Sequence, residues 1–438
     1  MAVDRTSEQF LLNAYSGKGG FATGDYLIAH PRETDEKIAR RQELAVYPNY
    51  CRKIVDVFMG FLWKQSPTRD VDDLYINFAL NADGSGTKLN TLLFVYQRMA
   101  MILGTVFVIV DKPRNQGQTR ADQAMPYLAL RTQSQMAAET KDAAGNWLSV
   151  TFSEQDNNDT IYRTYTISGW MLTKDKDGKD VIDQGDYSVG RVPVVRLHNS
   201  KPTNPTDTVS DSFFYDLASL NWDLYNLRSE VRELFRAQTF AILTIPVSDS
   251  NERERLKDMT ISTENALTYN PAGGGMPAYI APPPEPIELY QKHMADTVVE
   301  IYKIANLEFV GGVQRSGVAL SFHFQEANSS LAGWAEMGEM AETEIARLVY
   351  QWQGLEFNGN ISYPSDFNMS DLKESIATAM DTITLGMGQE FDKALKKHLA
   401  RQILGNDISA SEMQNIEAEI DAQGDIYGDR LQQQAGLA

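Results

Sequence analysis

Apolar residues recur at helical spacing along the middle of the chain. Between residues 211 and 240, steps of three and four residues separate Leu217, Leu220, Leu224, Leu227, Val231 and Leu234. This spacing puts all six on one face of a helix. Seven prolines between 241 and 286 exclude a continuous helix there. Helical spacing returns over 287–308, where one face carries Met294, Val298, Ile301 and Ala305. The pattern predicts two long helices joined by an extended insert.

The first 210 residues mix helical and strand-like patterns. Thr34 can cap a helix that runs through the charged stretch 35–43, an apolar stripe predicts a helix over 49–63, and another helix is predicted over 89–103. A β-branched run at 105–110 is typical of a buried strand, and apolar–polar alternation over 125–197 predicts several more strands. Residues before 34 are polar and rich in glycine, which predicts a loosely held arm. The fold class expected for this part is α+β.

A glycine-hinged loop follows the second long helix. Its residues are Gly311, Gly312, Val313, Gln314, Arg315 and Ser316. A third long helix is predicted over 324–355, and three further helical patterns occupy 366–438. Arg315 is interpreted either as a solvated loop arginine or as a side chain that projects into a lumen and touches phosphate weakly.

Charge restricts the kind of partner. The chain has 59 acidic and 40 basic residues and a net charge of −19. A protein that grips duplex DNA neutralises phosphates with Lys and Arg, and here the average surface repels polyanions. The balance still allows a protein that encloses DNA without gripping it.

The sequence contains no motif that indicates a catalytic, metal or cofactor site. The single Cys51 excludes an internal disulfide framework, and the five histidines show no ligand spacing on one helix. We therefore expect no catalytic residues, no metal and no cofactor, and the chain is not predicted to be an enzyme. No stretch reaches the roughly 18 unbroken apolar residues of a membrane span. The N-terminus lacks a basic run followed by an apolar core, so neither a signal peptide nor a membrane partner is expected.

Three arginines share one face of the first long helix, at i, i+4 and i+8: Arg228, Arg232 and Arg236. One interpretation pairs them within the chain, with Glu233 or with acids of a neighbouring helix. A second pairs them across a subunit boundary with Asp296 or Glu300, and a third has them line a passage.

A second basic stripe lies near the C-terminus, formed by Lys393, Lys396, Lys397 and Arg401. It is the most concentrated positive face in an acidic chain. A solvated helix face is one interpretation, and DNA contact at a channel mouth is the other.

The order of these parts resembles the portal, or head–tail connector, proteins of tailed bacteriophages over roughly residues 35–355. The early helix of that family is similar to Tyr47-Pro48-Asn49, Ile54, Gly60, Lys64 and Pro67. The strand before its central helix resembles Val192-Pro193-Val194-Val195. Its tunnel loop resembles the segment Arg315-Ser316-Gly317-Val318-Ala319-Leu320, which follows the helix–insert–helix unit.

The resemblance implies a helix-rich α+β subunit with an α/β wing, a two-helix stem, a small β-containing clip and a helical crown. The implied division is wing 1–210, stem helix 211–240, clip 241–286, second stem helix 287–308, tunnel loop 309–323, wing helix 324–365 and crown 366–438. Twelve copies would form a ring at one capsid vertex, through which double-stranded DNA passes during packaging and ejection.

The implied partners follow from that role. They are copies of the same chain, double-stranded DNA bound weakly and without sequence preference, a terminase large-subunit ATPase, a head–tail adaptor, and the major capsid and scaffolding proteins. The implied location is the portal vertex of the virion, and the host cytoplasm during assembly. Two other hypotheses remain: a phage adaptor or helical scaffold protein without a DNA channel, and an acidic hydrolase whose site assembles only in three dimensions.

Overall fold

The structure is a computed structural model. It describes residues 4–113, 124–157, 159–204, 206–239, 242–246, 266–269, 278–280, 285–307, 317–367, 393–394, 396–397, 400 and 410–422. The helices are α1 (Glu8–Ser16), α2 (Gly20–Thr23), α3 (Asp35–Glu43), α4 (Tyr50–Leu62), α5 (Asp73–Leu80), α6 (Leu89–Leu103), α7 (Phe214–Thr239), α8 (Glu285–Ile304), α9 (Gly317–Trp352) and α10 (Ala410–Ala422).

The strands form four sheets. They are β1 (Thr68–Asp70), β2 (Thr105–Asp111), β3 (Tyr127–Arg131), β4 (Met136–Lys141), β5 (Trp147–Asp156), β6 (Asp159–Thr166), β7 (Gly169–Thr173), β8 (Val181–Asp186), β9 (Val194–His198), β10 (Ile242–Pro246), β11 (Ala266–Tyr269), β12 (Ala278–Ile280) and β13 (Asn360–Ser362).

The N-terminal segment is packed, and the prediction of a loose arm before residue 34 is wrong. Phe10 of α1 and Phe21 of α2 are fully buried in the main core. Ser7 caps α1 by accepting a hydrogen bond from the amide of Phe10. Gly17 and Gly24 adopt φ angles of 66° and 87°, so these glycines end helices and do not loosen the chain.

The main core lies around α4, α6 and β2. Helix α4 buries Ile54, Phe58 and Leu62 of the predicted stripe, whose other members Val57 and Phe61 are half-buried. It also buries Val55 and Met59. Helix α6 passes directly into β2 at Gly104, where φ is 87°. A Cβ at this glycine would lie 2.2 Å from the carbonyl oxygen of Ser210, so only glycine allows the following linker to approach this closely.

Two antiparallel sheets lie beside this core and enclose a second, smaller hydrophobic cluster between them. The order β3-β2-β9 makes β9 an edge strand, which agrees with the proline at position 193 before it. Strands β4 to β8 form a five-stranded antiparallel meander. Phe107 of β2 and Phe152 of β5 meet between the two sheets, with ring centroids 5.6 Å apart. The α+β prediction for this part is confirmed.

Helix α9 crosses the molecule over 36 residues. It starts at Gly317, seven residues before the predicted start, so residues 317–323 of the predicted tunnel loop are helical. The physical reason is local: between Gly317 and Gly333 the sequence contains neither proline nor glycine. Helix α9 continues through Gly338. A Cβ at this position would lie 1.9 Å from Nε2 of Gln97, so glycine allows α6 and α9 to pack closely here.

A short antiparallel ladder joins distant parts of the chain. Strand β1 pairs with β13, and Arg69 lies opposite Ile361. In the described part of the chain, no helix is long and apolar enough to cross a membrane.

Candidate assembly surfaces

Helices α7 and α8 pack against each other and are joined through a small sheet; we call α7 and α8 the helix pair. Both helices were predicted, and the observed bounds differ from 211–240 and 287–308 by at most four residues at each end. Pro286 lies in the first turn of α8, where a missing backbone N–H leaves no helical bond unmade.

The N-terminal half of α7 is anchored in the main core. Its Asn221 is fully buried and its Oδ1 accepts the backbone amides of Tyr50 (3.0 Å) and Cys51 (3.2 Å). The Nδ2 of the same side chain donates to the carbonyl of Pro48 at 2.8 Å. One side chain of α7 therefore satisfies the amides that start α4, and this fixes how α7 leaves the core.

The predicted apolar seam of α7 is confirmed, and its residues are alternately buried and half-buried along the helix. Leu217, Leu224 and Val231 are buried, while the alternate seam residues Leu220, Leu227 and Leu234 are half-buried. The hydroxyl of Tyr290 in α8 donates to Glu230 Oε2 at 3.1 Å, which adds a polar contact to the pair.

The inner face of α8 packs on α4. Ile301 and Ala305 are fully buried, and the ring of Tyr302 meets that of Tyr50 edge-on at 5.9 Å. Lys53 places its Nζ 5.8 Å from the centre of the Tyr302 ring. The C-terminal end of α8 is thus fixed to the core, as the N-terminal end of α7 is.

The predicted insert between these helices contains β structure in its described parts. Strand β10 is central, parallel to β11 and antiparallel to β12. Tyr279 and Ile280 of β12 are 68% and 58% exposed. Two large apolar side chains therefore face outward on this small sheet.

The three arginines of α7 have different surroundings. Arg236 forms an ion pair with Glu233 at 3.8 Å, as the i, i+3 spacing indicates. Arg232 donates from Nη1 to the carbonyl of Leu44. Arg228 is exposed. The predicted intrachain pairing with an acid holds for Arg236, whereas Arg232 binds a backbone carbonyl within the chain, and Arg228 remains available to another molecule.

The two acids considered as partners, Asp296 and Glu300, are exposed on α8. Leu289 and Val299 on the outward side of the same helix are 69% and 52% exposed. This outward face lies opposite the buried positions Thr297 and Ile301.

The remaining sequence candidates lie at or beyond the limit of the described residues. Gly311, Gly312, Val313, Gln314, Arg315 and Ser316 lie outside them, as does Arg401. Lys393, Lys396 and Lys397 are described and half-buried, and Lys397 Nζ pairs with Asp421 of α10 at 2.6 Å.

Sequence reasoning missed a buried ionic cluster on α9. Glu342 is fully buried and accepts two hydrogen bonds from Arg69, at 2.5 and 3.0 Å. The hydroxyls of Tyr75 and Tyr363 donate to the same carboxylate at 3.1 and 2.8 Å. Its members come from α9, β1, α5 and the segment after β13, so no local spacing pointed to it.

The charges in this cluster stabilise each other. Burial alone lowers the pKa of Arg69, and the hydrogen bonds and charge of Glu342 outweigh it, so the pKa is raised. Burial, together with the Glu342 charge, raises the pKa of Tyr75 and Tyr363 well above the usual value. Both phenols therefore remain donors, and the cluster ties α9 to the β1–β13 ladder.

Among known proteins, the chain matches solved structures only. No protein-family model and no curated protein matches the chain. A chain from the virion of a native gene transfer agent particle is 14% identical, over 94% of this chain and 99% of that chain, with a TM-score of 0.43.

Two further matches come from particle necks, and each covers 94% of this chain and 99% of the other. The chain from the neck of an empty gene transfer agent particle computed with C6 symmetry is 12% identical, and that from the native neck computed with C12 symmetry is 13% identical. Both have a TM-score of 0.45. With TM-scores below 0.5, the functional assignment rests on the geometry of this chain.

Proposed function

We propose that this chain is a portal subunit: copies assemble head to tail into a ring, and the helix pair of each copy surrounds a passage for double-stranded DNA. The ring stands at one vertex of a phage-like capsid and takes part in packaging and ejection. The resemblance in sequence pattern gives twelve as the expected number of copies. The chain contributes no catalysis in this proposal.

The observation that carries the proposal is one face of α7. Asn221, Arg228 and Phe235 are seven residues apart and therefore share that face. Asn221 is fully buried, whereas Arg228 is exposed and Phe235 is 44% exposed. This face of α7 is therefore buried within the chain at Asn221 and exposed to solvent at Arg228 and Phe235.

The outward face of α8 has the opposite character. It combines the carboxylates Asp296 and Glu300 with the exposed aliphatic side chain of Leu289. A cation beside an aromatic ring on one helix, and acids beside an aliphatic residue on the other, are complementary between neighbouring copies. Contact between two different faces is heterologous, and it closes into a ring when the rotation permits.

The charge of the chain suits a conduit. With a net charge of −19, a ring of many copies repels the duplex from most of its surface, so DNA slides without being trapped. Sparse arginines give weak contacts that depend on salt. The sequence has no phosphate loop, so a separate ATPase must supply the energy.

The small sheet is the proposed docking point for that ATPase. Tyr279 and Ile280 expose large apolar surfaces there, and aromatic anchors are enriched at the centres of protein interfaces. We propose that these two residues belong to the clip and contact the packaging motor. The adaptor, the capsid protein and the scaffolding protein are further partners in the proposal.

A charge-reversal series tests the contact between neighbouring helix pairs. We expect Arg228→Glu to abolish ring formation in light scattering and electron microscopy, because it places like charges opposite Asp296 and Glu300. The double change Asp296→Lys and Glu300→Lys in the same chain should restore assembly. Lys88→Glu, at an exposed lysine that precedes α6 and lies outside the helix pair, is the control and should assemble normally.

Two results would contradict the proposal. Rings that form equally well with Arg228→Glu would remove the contact. Small oligomers without a central hole, in the unmodified protein, would favour an adaptor or scaffold.

Deletion of Gly311 to Ser316 addresses the tunnel loop. We expect the deleted protein to assemble and to lose efficiency in packaging or retaining DNA, which a packaging assay with nuclease protection measures. If the deleted protein failed to fold, the loop would have a structural role instead.

A further inference from the structure

A groove of about 840 Å³ lies between the five-stranded sheet and helix α9. One wall carries Leu148 and Ile167, which are 43% and 40% exposed. The facing wall carries Met337 and Met340 of α9, and Met340 is 57% exposed. The groove therefore has two apolar walls that lie open to solvent.

A cation lies between these walls. Arg196 of β9 is half-buried, stacks at 4.8 Å over the ring of Trp147 and donates from Nη1 to the carbonyl of Asp207 at 3.3 Å. Among the described residues, no carboxylate forms an ion pair with it. The other lining arginine, Arg191, is already paired with Glu344 at 2.5 Å.

Burial sets the charge state inside the groove. It lowers the pKa of Arg196, and the charge of Glu139 offsets part of this effect. Burial and the nearby Arg196 also lower the pKa of His198 to about 4, so this imidazole is neutral near pH 7. Arg196 is thus the lining charge that still lacks an acidic partner in the described part of the chain, and a carboxylate is its natural complement.

The same sheet carries a feature of matching chemistry at β8, its edge strand. Val181 and Ile182 are 45% and 46% exposed, and we call these two residues the ridge. Val181 lies opposite Thr173 and Asp183 opposite Leu172, so Ile182 is the extra residue of a β-bulge and the ridge brings two exposed aliphatic side chains together at one point of the edge. Asp180, directly before the ridge, is exposed. Proteins usually protect an apolar edge of this kind, because it is a template for association.

The ridge cannot reach the groove of its own chain. The register puts Val181 opposite Thr173, Thr173 opposite Tyr162 and Tyr162 opposite Ser153, whereas Leu148 lies five residues earlier on β5. The two features are therefore separated by about 17 Å along the strands and about 14 Å across them. They lie at opposite ends of one rigid sheet.

We propose that the ridge of one copy inserts edge-on into the groove of the next copy. The aliphatic side chains of the ridge then pack between the apolar walls, and the carboxylate of Asp180 approaches Arg196. Contact between a ridge and a groove at opposite ends of one sheet is again heterologous, so it repeats in one direction. This inference goes beyond the helix-pair contact of the proposed function and does not depend on it.

Disulfide trapping in the full-length chain tests the inference. The double variant Ile182→Cys, Met340→Cys places one thiol on the ridge and one on the far wall of the groove. Cys51 is fully buried and burial raises the pKa of its thiol to about 12, so it does not compete. Under mild oxidation we expect a ladder of covalent oligomers on a denaturing gel, and monomers after reduction.

Matched controls define the result. Val209→Cys, Met340→Cys moves the first thiol to a similarly exposed valine outside ridge and groove, and it should give no ladder. Val181→Thr, Ile182→Thr keeps β-branched residues in the strand while it removes apolar surface, and it should weaken self-association about tenfold. The same double change to threonine should leave the unfolding transition in place, because both side chains are exposed.

The outcomes separate this inference from the proposed function. Absence of the ladder in the ridge–groove variant, or an equal ladder in the Val209 control, would overturn the inference, even if electron microscopy showed rings. A ladder that persists when Arg228→Glu abolishes rings would support the inference and isolate the helix-pair contact as the separate requirement for ring closure.

Discussion

Charged groups have different surroundings in two regions of the molecule: the core around α4, α6 and α9, and the helix pair. In the core, Glu342 accepts four hydrogen bonds from three residues of the same chain, Arg69, Tyr75 and Tyr363. On the helix pair, Arg228 of α7 and the carboxylates Asp296 and Glu300 of α8 are exposed. The cluster around Glu342 is complete within one chain, whereas the exposed charges of the helix pair would be paired only by a second copy in the assembly that we propose.

This difference has an energetic basis. A buried charge without a partner costs several kcal/mol, so the core tolerates none. An exposed charge costs almost nothing in the isolated chain, and it can select a neighbour and its orientation. We therefore expect substitutions in the core to change folding and substitutions on the helix pair to change assembly.

The largest effect on folding is expected at Glu342. Glu342→Ala leaves Arg69 half-buried without its carboxylate and should lower the free energy of unfolding by about 3–5 kcal/mol in urea titrations. Glu336→Ala on the same helix is the control: its pair with Lys201 is solvent-exposed, and the loss should stay below about 1 kcal/mol. Equal losses in the two variants would show that the buried cluster does not anchor α9.

Asn221 tests the link between the two regions. Asn221→Ala removes the acceptor for two amides at the start of α4 and should cost about 1–2 kcal/mol of unfolding free energy. Asp223→Ala, at an exposed position of the same helix, should change little. A variant as stable as the unmodified chain would mean that apolar packing alone positions α7.

His198 gives the core a dependence on pH. Its pKa is lowered to about 4 by burial and by Arg196, so the unfolded chain binds the proton more tightly than the folded one. Stability should therefore fall as the pH drops from about 6.5 towards 4, by on the order of 1 kcal/mol for this half-buried group.

The measurement is thermal unfolding across that pH range, for the unmodified chain and for His198→Gln. The variant should show a shallower decline. Asp111 acts in the opposite sense, because burial raises its pKa, and it is present in both proteins and cancels in the comparison. Identical pH profiles would rule out His198 as the source.

Arg228→Glu should have the smallest effect on the chain itself. The side chain is exposed, so unfolding of the dilute monomer should shift by less than about 0.5 kcal/mol. A larger loss in urea titration would place Arg228 in an intrachain role and weaken its assignment to assembly.

Local patterns predicted the helices well. The seam from Leu217 to Leu234 and the stripe on α4 depend on spacing within one helix, and the pair Arg236–Glu233 is three residues apart. Contacts between distant residues gave no such signal. Arg232 binds a carbonyl 188 residues away, and Glu342 binds Arg69 across 273 residues.

In the N-terminal segment, amino-acid composition led to a wrong prediction of the structure. Its glycines suggested a loose arm, yet they occur where helices end, and the apolar residues between them, such as Phe10 and Phe21, fill the core. The ridge and the groove were also invisible in the sequence, because exposure of an aliphatic residue depends on which neighbours the fold brings near it.

Electron microscopy of the purified full-length protein, with its mass measured by light scattering, tests the central claim most directly. We predict annular particles with a central hole wide enough for duplex DNA, and a mass that is a large multiple of 49.1 kDa. A single 49.1 kDa species at every concentration and salt would contradict the account.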